Sequence, residues 1–361
     1  MSKRKAIIFG PLPPPYGGVS VYLSYLIRHL RVAGLDLRMW AVLGDRDSKA
    51  PNVRYIRHRR LGVIPALIRE GSGSRILDAT HFHLEYPHPL LLPVWLVLKF
   101  VLGFEWFKNV LDGSLPERYD RFGLVDRMLF RLAVRNVDQF IVVSEDLERW
   151  LRHVIGVSRP VHVVPCLVPP PHGTDLPPRA EIENALSSWS SRPRRVCSIG
   201  VFIPTYGFLH AAEAVENLRR ETGEDIGLAL LDGTFAQDEE YRERVLKGRD
   251  WITVLENVPN PNVYEILGRS DCLVRGFGQE SYGISRVEAL WAGIPVVATT
   301  AGETRGMLTY EFGDVEALTS QIKKALFDKP SADIQYWSTQ FRREADENVA
   351  VIQRLLMTDV I

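Results

Sequence analysis

Two blocks of this sequence alternate short apolar runs with stretches of helical periodicity, and both open the same way: apolar run, glycine, loop, helix. In the first block residues 5–9 form an apolar run ending at Gly10, and the loop GPLPPPYGG follows. Val19, Tyr22, Leu23, Leu26, Ile27 and Leu30 then recur at helical spacing, with Gly34 as the stop. Further strands are expected at 37–43, 79–84, 109–111, 139–143 and 161–164, with helices between them, notably at 124–134 and 146–154. The stretch 165–193 is rich in proline and reads as a linker. After it the pattern restarts: RRVCSIG as a strand, YGFLHAAEAVENLRRETG as a helix, then strands at IGLALLDG, WITVLENV, DCLVRGF and IPVVATT. Strands that alternate with helices imply parallel sheets with helices on their faces. The expected architecture is therefore α/β, with a first domain over 1–170, a linker over 171–193, a second domain over 194–333, and a last helix over 334–361 packing back toward the first domain. Ligands are expected at the carboxyl ends of the strands, in a cleft between the two sheets.

Composition removes several classes of function. Lys plus Arg and Asp plus Glu both number 44, so nothing advertises nucleic acid as a partner. A local basic run, RYIRHRR at 54–60, reads as a solvated edge strand, with contact to an anionic surface as its alternative. Cys166, Cys197 and Cys272 match no metal spacing, and each lies in an apolar run, so buried free thiols are expected. The amino terminus, MSKRKAIIFG, has no apolar region long enough for a signal peptide, which suggests a cytoplasmic protein. The most apolar stretch, 90–104, falls short of the ~20 residues of a spanning helix and is interrupted by Pro93 and Lys99. It reads as a buried helix; a membrane-facing helix is the minority alternative.

The stretch ESYGISRVE, 280–288, carries most of the chemistry. It follows an expected strand at 271–277, so its loop lies where such sheets bind ligands, and a helix is expected from Ser285 to about Ala292. Ser285 and Glu288 fit a Ser-x-x-Glu capping box, which gives Glu288 a purely structural alternative. Glu280 has no such alternative. The amides of Gly283, Ile284 and Ser285 at the helix start form an anion site, and a carboxylate beside an anion accepts hydroxyl donors. Two carboxylates with exposed amides suit a ligand carrying both phosphate and polyol, a nucleotide sugar, with Glu288 on the ribose and Glu280 on the sugar. Gly17-Gly18 before the first helix would let backbone approach a phosphate, or simply make a turn. Neither GxGxxG nor GxxxxGK[ST] occurs there.

PPPYGGVSVYLSYLIRHL and ESYGISRVEALWAGIPVVAT resemble the two end motifs of glycosyltransferase family four, the second carrying its Glu-x7-Glu signature as Glu280 and Glu288. DQFIVVSEDLERWL with VHVVPC resembles the close of that family's first domain, and the likeness runs from about Lys5 to Leu318. The resemblance implies the GT-B fold, two Rossmann-like domains facing across a cleft. It also implies sugar transfer with retention of configuration, needing no metal and no cofactor beyond the nucleotide-sugar co-substrate. The donor would sit in the second domain and a hydroxyl acceptor (sugar, lipid-linked sugar or small molecule) mostly in the first. By resemblance Gly18 lies near the donor phosphate, Glu280 near the donor sugar and Glu288 on the ribose. Asp112 is a second candidate catalytic residue, and Tyr16 and His83 are candidates on the acceptor side.

Three features depart from the family pattern. The family usually has Gly-Arg-x-x-x-x-Lys-Gly at the start of its second domain, where the two cations grip the diphosphate; this chain has Val201 and Tyr206 in their places. Asp112-Gly113 stands for His-Gly, and the usual Asn-Gly is absent from VPCLVPP. Arg275, Arg286 and Arg305 are the candidate replacements for the lost cations, Arg275 first, with a surface ion pair as the alternative for each. The leading expectation is a nucleotide-sugar-dependent transferase of glycan, glycolipid or natural-product biosynthesis, cytoplasmic or peripheral to the inner membrane face. The missing cations favour one alternative, a GT-B domain without donor chemistry that binds or scaffolds. A phosphorylase or nucleotide-sugar epimerase is a third.

Overall fold

A computed structural model describes residues 4–30, 35–45, 52–56, 61–167, 180–234, 236–328 and 331–357. Gly34, residues 57–60 of the basic run and residues 171–179 of the expected linker lie outside them. The chain divides into two compact units. One comprises Met1–Pro14, Val19–Pro170 and Ala345–Ile361, the other Pro15–Gly18 and Pro171–Glu344.

The first unit holds a seven-stranded sheet, parallel throughout, in the order β3-β2-β1-β4-β5-β6-β7. Its strands are β1 (Arg4–Gly10), β2 (Leu35–Ala41), β3 (Val53–Tyr55), β4 (Arg75–Asp78), β5 (Glu105–Val110), β6 (Gln139–Val142) and β7 (Val161–Val163). Ala6, Ile7, Ile8 and Phe9 are all fully buried, the signature of a central parallel strand covered on both faces. The helices between the strands are α1 (Gly18–His29), α2 (Val63–Glu70), α3 (Leu91–Leu102), α4 (Leu115–Asp120), α5 (Leu124–Asn136) and α6 (Glu145–Arg149), the last continuing into a π-helical turn, Trp150–Ile155. Ser144 caps α6, its hydroxyl accepting from the Leu147 amide at 3.4 Å. β3 is the sheet's edge strand, in keeping with the reading of the basic run, and its Arg54 pairs with Glu70.

Several expectations shift. The strand placed at 79–84 is at Arg75–Asp78, and the one placed at 109–111 begins at Glu105. Charged residues at the strand ends hid both from a hydropathy reading. Arg75 and Asp78 are buried, Arg75 pairing with Glu105 and Asp78 accepting from the Thr80 amide and the Trp106 indole. The apolar stretch 90–104 does form a helix, α3, closed by Gly103 in the left-handed region (φ 61°). It is not buried as expected: only Leu92 and Trp95 are covered, and an apolar face meets solvent.

The second unit holds six parallel strands in the order β10-β9-β8-β11-β12-β13. They are β8 (Arg194–Gly200), β9 (Ile226–Asp232), β10 (Ile252–Glu256), β11 (Cys272–Arg275), β12 (Val296–Thr299) and β13 (Leu308–Tyr310). Its helices are α7 (Ala180–Ser190), α8 (Phe208–Thr222), α9 (Glu239–Leu246), α10 (Asn260–Arg269), α11 (Ile284–Trp291), α12 (Val315–Phe327) and, as far as Glu344, α13 (Ser331–Met357). Phe202, Phe208, Val215, Leu230, Val274 and Ile322 are among the residues of its apolar core. All three cysteines are buried and free, and burial pushes the Cys197 thiol up to about 12. From Ala345 onward α13 belongs to the first unit, where the Leu355 carbonyl accepts from Arg75 and Asn348 donates to the Leu167 carbonyl.

Candidate functional site

In the second sheet the chain leaves β8 toward β9 on one side and later returns to add β11 and β12 on the other. The carboxyl ends of β8 and β11 therefore bracket the topological switch point, where open parallel sheets form their ligand crevice. The loops after these two strands lie against each other. The Gly278 amide donates to the Thr205 carbonyl at 3.1 Å. Gly207 sits at φ 69°, and a Cβ there would stand 2.7 Å from the Gly276 carbonyl oxygen, so glycine is required by both conformation and space.

Arg275, the last residue of β11, lies in this crevice. Its Nε donates to Glu280 Oε2 at 2.7 Å, and its guanidinium also reaches the Ile199 carbonyl at the end of β8. It lies over the rings of Tyr206 and Phe277, at 5.2 and 5.6 Å from their centroids. Those two rings stack at 4.3 Å. Burial works against the guanidinium's charge, but Glu280 and Tyr206 outweigh it, and its pKa stands above the ordinary value. Tyr206, in the place where a lysine was expected, thus forms part of the platform under an arginine supplied by another strand. Val201, in the place of the expected arginine, is fully buried.

Glu280 is held as closely as its partner, with 9% of its side chain exposed against 12% for Arg275. Gly283 (φ 90°) and Gly302 (φ 79°) flank it, and a Cβ on either would stand 3.2 or 2.9 Å from Glu280 Cγ. Gly283 is also the N-cap residue of α11, so Ile284 and Ser285 open that helix beside the carboxylate.

Two expectations about α11 are corrected. The Ser285–Glu288 capping box does not form, because the helix begins at Ile284 and Ser285 is already inside its first turn. Glu288 instead points into the protein at 3% exposure, where Oε1 accepts from Asn260 Nδ2 at 3.1 Å. Burial raises its pKa to about 7, opposed by hydrogen bonds from Asn260 and Tyr264. Arg286 does not stand as a replacement cation for a ligand. It is fully buried and donates to the carbonyls of Thr299, Ala301 and Glu303 at 3.3, 2.6 and 2.8 Å and to Thr299 Oγ1 at 2.9 Å. It clamps the loop after β12 and so positions Gly302 against Glu280. Burial lowers its pKa to about 10. Arg305 makes the surface ion pairs allowed for it, with Glu303 and Glu344, each at 2.7 Å.

In the first sheet the switch point falls between β1 and β4. Tyr16 and Gly17 lie on the loop after β1, and Gly18 opens α1. A Cβ at Gly17 or Gly18 would meet no atom within 4 Å, so the protein's own packing does not explain either glycine. His83 lies on the loop after β4, buried, with its ring 4.9 Å from that of Trp95 and 5.4 Å from that of Trp106. Asp112 lies between β5 and α4: its Oδ1 accepts from the Ser114 amide and hydroxyl at 2.9 and 2.7 Å, and its Oδ2 from Arg118 at 3.2 Å. Lys108 was not singled out from the sequence. Fully buried on β5, it lies 3.5 Å from Asp78 and 3.8 Å from Glu85 and donates to the Thr80 carbonyl, fixing the loop that carries His83. Asn260 was missed as well; nothing in the Pro-Asn-Pro opening of α10 signals that it serves a carboxylate on another helix.

Among the described residues no cluster of three or more His, Cys, Asp or Glu side chains is arranged to hold a metal ion. No helix among them is long and apolar enough to cross a membrane.

Residues 16–170 match the family model for glycosyltransferase family 4, and residues 181–337 match that for glycosyl transferases group 1. The chain belongs to glycosyltransferase family four. Solved structures agree on the fold of this family-four chain. Sucrose-phosphate synthase from Thermosynechococcus elongatus is 17% identical, with a TM-score of 0.70 over 98% of each chain. The Anabaena protein Alr3699/HepE, in complex with UDP-glucose, is 16% identical, with a TM-score of 0.70 over 97% of this chain and 98% of that one. WaaG, a glycosyltransferase involved in lipopolysaccharide biosynthesis, is 16% identical, with a TM-score of 0.67 over 98% of this chain and all of that one. No curated protein matches the sequence. The two parallel α/β sheets of this family-four chain are those of the GT-B fold.

Proposed function

We propose that this family-four chain transfers a sugar from a nucleoside diphosphate to an acceptor hydroxyl with retention of configuration, without a metal or a further cofactor. The observation that carries the reading is the placement of Arg275 and Glu280 together at the carboxyl ends of β8 and β11. A leaving diphosphate needs oriented donors as its oxygen takes up charge. Arg275 supplies a fixed guanidinium, and the amides of Gly283, Ile284 and Ser285 supply a helix start. Glu280 accepts hydroxyls of the donor sugar, and Glu288 those of the ribose. Gly17 and Gly18 admit the diphosphate close to backbone. Asp112 is the first unit's candidate catalytic carboxylate, and Tyr16 and His83 are the acceptor-side candidates. The capture of a neighbouring GT-B structure with UDP-glucose supports testing UDP first.

Thermal-shift measurements with UDP, GDP, ADP, dTDP and CDP test the reading. A ligand at a hundred times its dissociation constant stabilises by about 2.7 kcal/mol, a rise of several degrees in Tm. At least one diphosphate should do this. If none does, donor binding is absent and the scaffold reading takes its place.

Glu288 adds a pH dependence. Its folded pKa, near 7, lies above its ordinary 4.5. Its contribution to the ligand-free protein's stability is thus complete below about 4.5 and lost as pH rises through 7. Ribose hydroxyls select the ionised carboxylate, so donor affinity should climb about tenfold per unit below pH 7 and level off above it. Glu288→Gln should flatten that profile. The same slope in both proteins would remove Glu288 from the ribose site.

A further inference from the structure

α3 offers water a face it has no local reason to offer. Leu90, Val94, Val97 and Val101 recur at i, i+4, i+7 and i+11, one stripe of the helix, and all are exposed, with Phe100 beside them at 90%. Lys99, the helix's single charge, is turned inward onto Asp138 at 3.0 Å, so it does nothing to solvate that face. α5, in the same unit, repeats the spacing with Leu124, Met128, Arg131 and Arg135. Leu124 is 89% exposed, and Val125 and Leu132 widen the stripe. The Lys99–Asp138 pair ties the last turn of α3 to the residues just beyond α5, so the two arginines stand at the same end of the face as Phe100. Neither Arg131 nor Arg135 has a carboxylate partner among the described residues, in a chain whose net charge is zero. Residues 90–103 contain no acid, and Asp126 is the single acid of α5.

We propose that α3 and α5 form a docking surface for an anionic lipid bilayer, with Phe100 and the valines of α3 entering the headgroup–acyl boundary and Arg131 and Arg135 reaching the lipid phosphates. Apolar stripes edged by unpaired arginines are what an interfacial helix needs. A helix of 12 residues is too short to span and lies along the surface. A second copy of the chain fits the face less well. Pairing like faces would bring Arg131 and Arg135 of both copies to a surface with a single acid per copy, where arginines want carboxylates. The surface belongs to the first unit alone and does not depend on the sugar-transfer reading.

Co-sedimentation of the full chain with vesicles tests this, comparing phosphatidylcholine alone with phosphatidylcholine plus phosphatidylglycerol. Binding is expected to the anionic vesicles only and to weaken with salt. Arg131→Gln with Arg135→Gln should weaken it about thirtyfold, from roughly 1 kcal/mol per cation near such a surface. Phe100→Asp should abolish it, while Tm and nucleoside diphosphate binding stay unchanged because the side chain is exposed. Absence of vesicle binding, or equal binding to neutral vesicles, overturns the proposal. So does a dimer in sedimentation velocity that Phe100→Asp dissolves, which would assign the face to a second copy.

Discussion

Glu280→Gln is expected to lower kcat by about 10²–10³ while leaving the donor's KM within a few-fold of wild type. Glutamine keeps the shape and a hydrogen-bond acceptor for Arg275 but removes the negative charge. On the proposed mechanism that charge accepts the donor sugar's hydroxyls as the transition state forms, and losing one such preorganised group has an effect of this size. The structure makes the variant readable. Arg275 retains the Ile199 carbonyl and its seat over Tyr206 and Phe277, and the two flanking glycines leave no space for the loop to repack freely. The loss of a part-buried charge pair should lower stability by about 1–3 kcal/mol, so activity is to be compared well below the variant's Tm. A kcat near wild type would take Glu280 out of the catalytic site.

Periodicity made the fold legible where strands carried an unbroken apolar run, as in β1, β9 and β12. It failed at β4 and β5, where Arg75, Asp78, Glu105 and Lys108 lie in or at the ends of strands. Arg75, Asp78 and Lys108 are buried against partner charges or backbone, with the half-exposed Glu105 pairing Arg75, an arrangement visible only once the strands are paired. α3 misled for the opposite reason: apolar residues all round a helix imply burial, and here one stripe is left to solvent. At the site, the Glu-x7-Glu spacing and the glycines pointed to one loop. The pairing of Arg275 with Glu280 and the tyrosine platform beneath it did not follow from spacing, because Tyr206 lies on the loop after β8 and Arg275 at the end of β11. Arg286 looked like a ligand cation for want of any sequence sign that three carbonyls and a threonine would use its donors. Glu288 carried two readings, a cap and a ribose partner. The starting point of α11 removed the first and left the second as a proposal.

The central claim is that Arg275 replaces the two cations absent at Val201 and Tyr206, and Arg275→Ala tests it. Calorimetric titration of wild type and variant should use the nucleoside diphosphate that stabilises best and its parent nucleoside. Wild type already holds the guanidinium in place over Tyr206 and Phe277, so no ordering of the side chain opposes binding. A charge-assisted hydrogen bond contributes about 1.5–3 kcal/mol, so diphosphate affinity should fall about tenfold to a hundredfold. Nucleoside affinity should change by less than about twofold, because a nucleoside offers that charge no partner. Removal of Arg275 also leaves Glu280 without its partner, so Tm should be recorded beside each titration. Equal weakening of both ligands, or no weakening of the diphosphate, would contradict the claim and leave the leaving group without a cation from this strand.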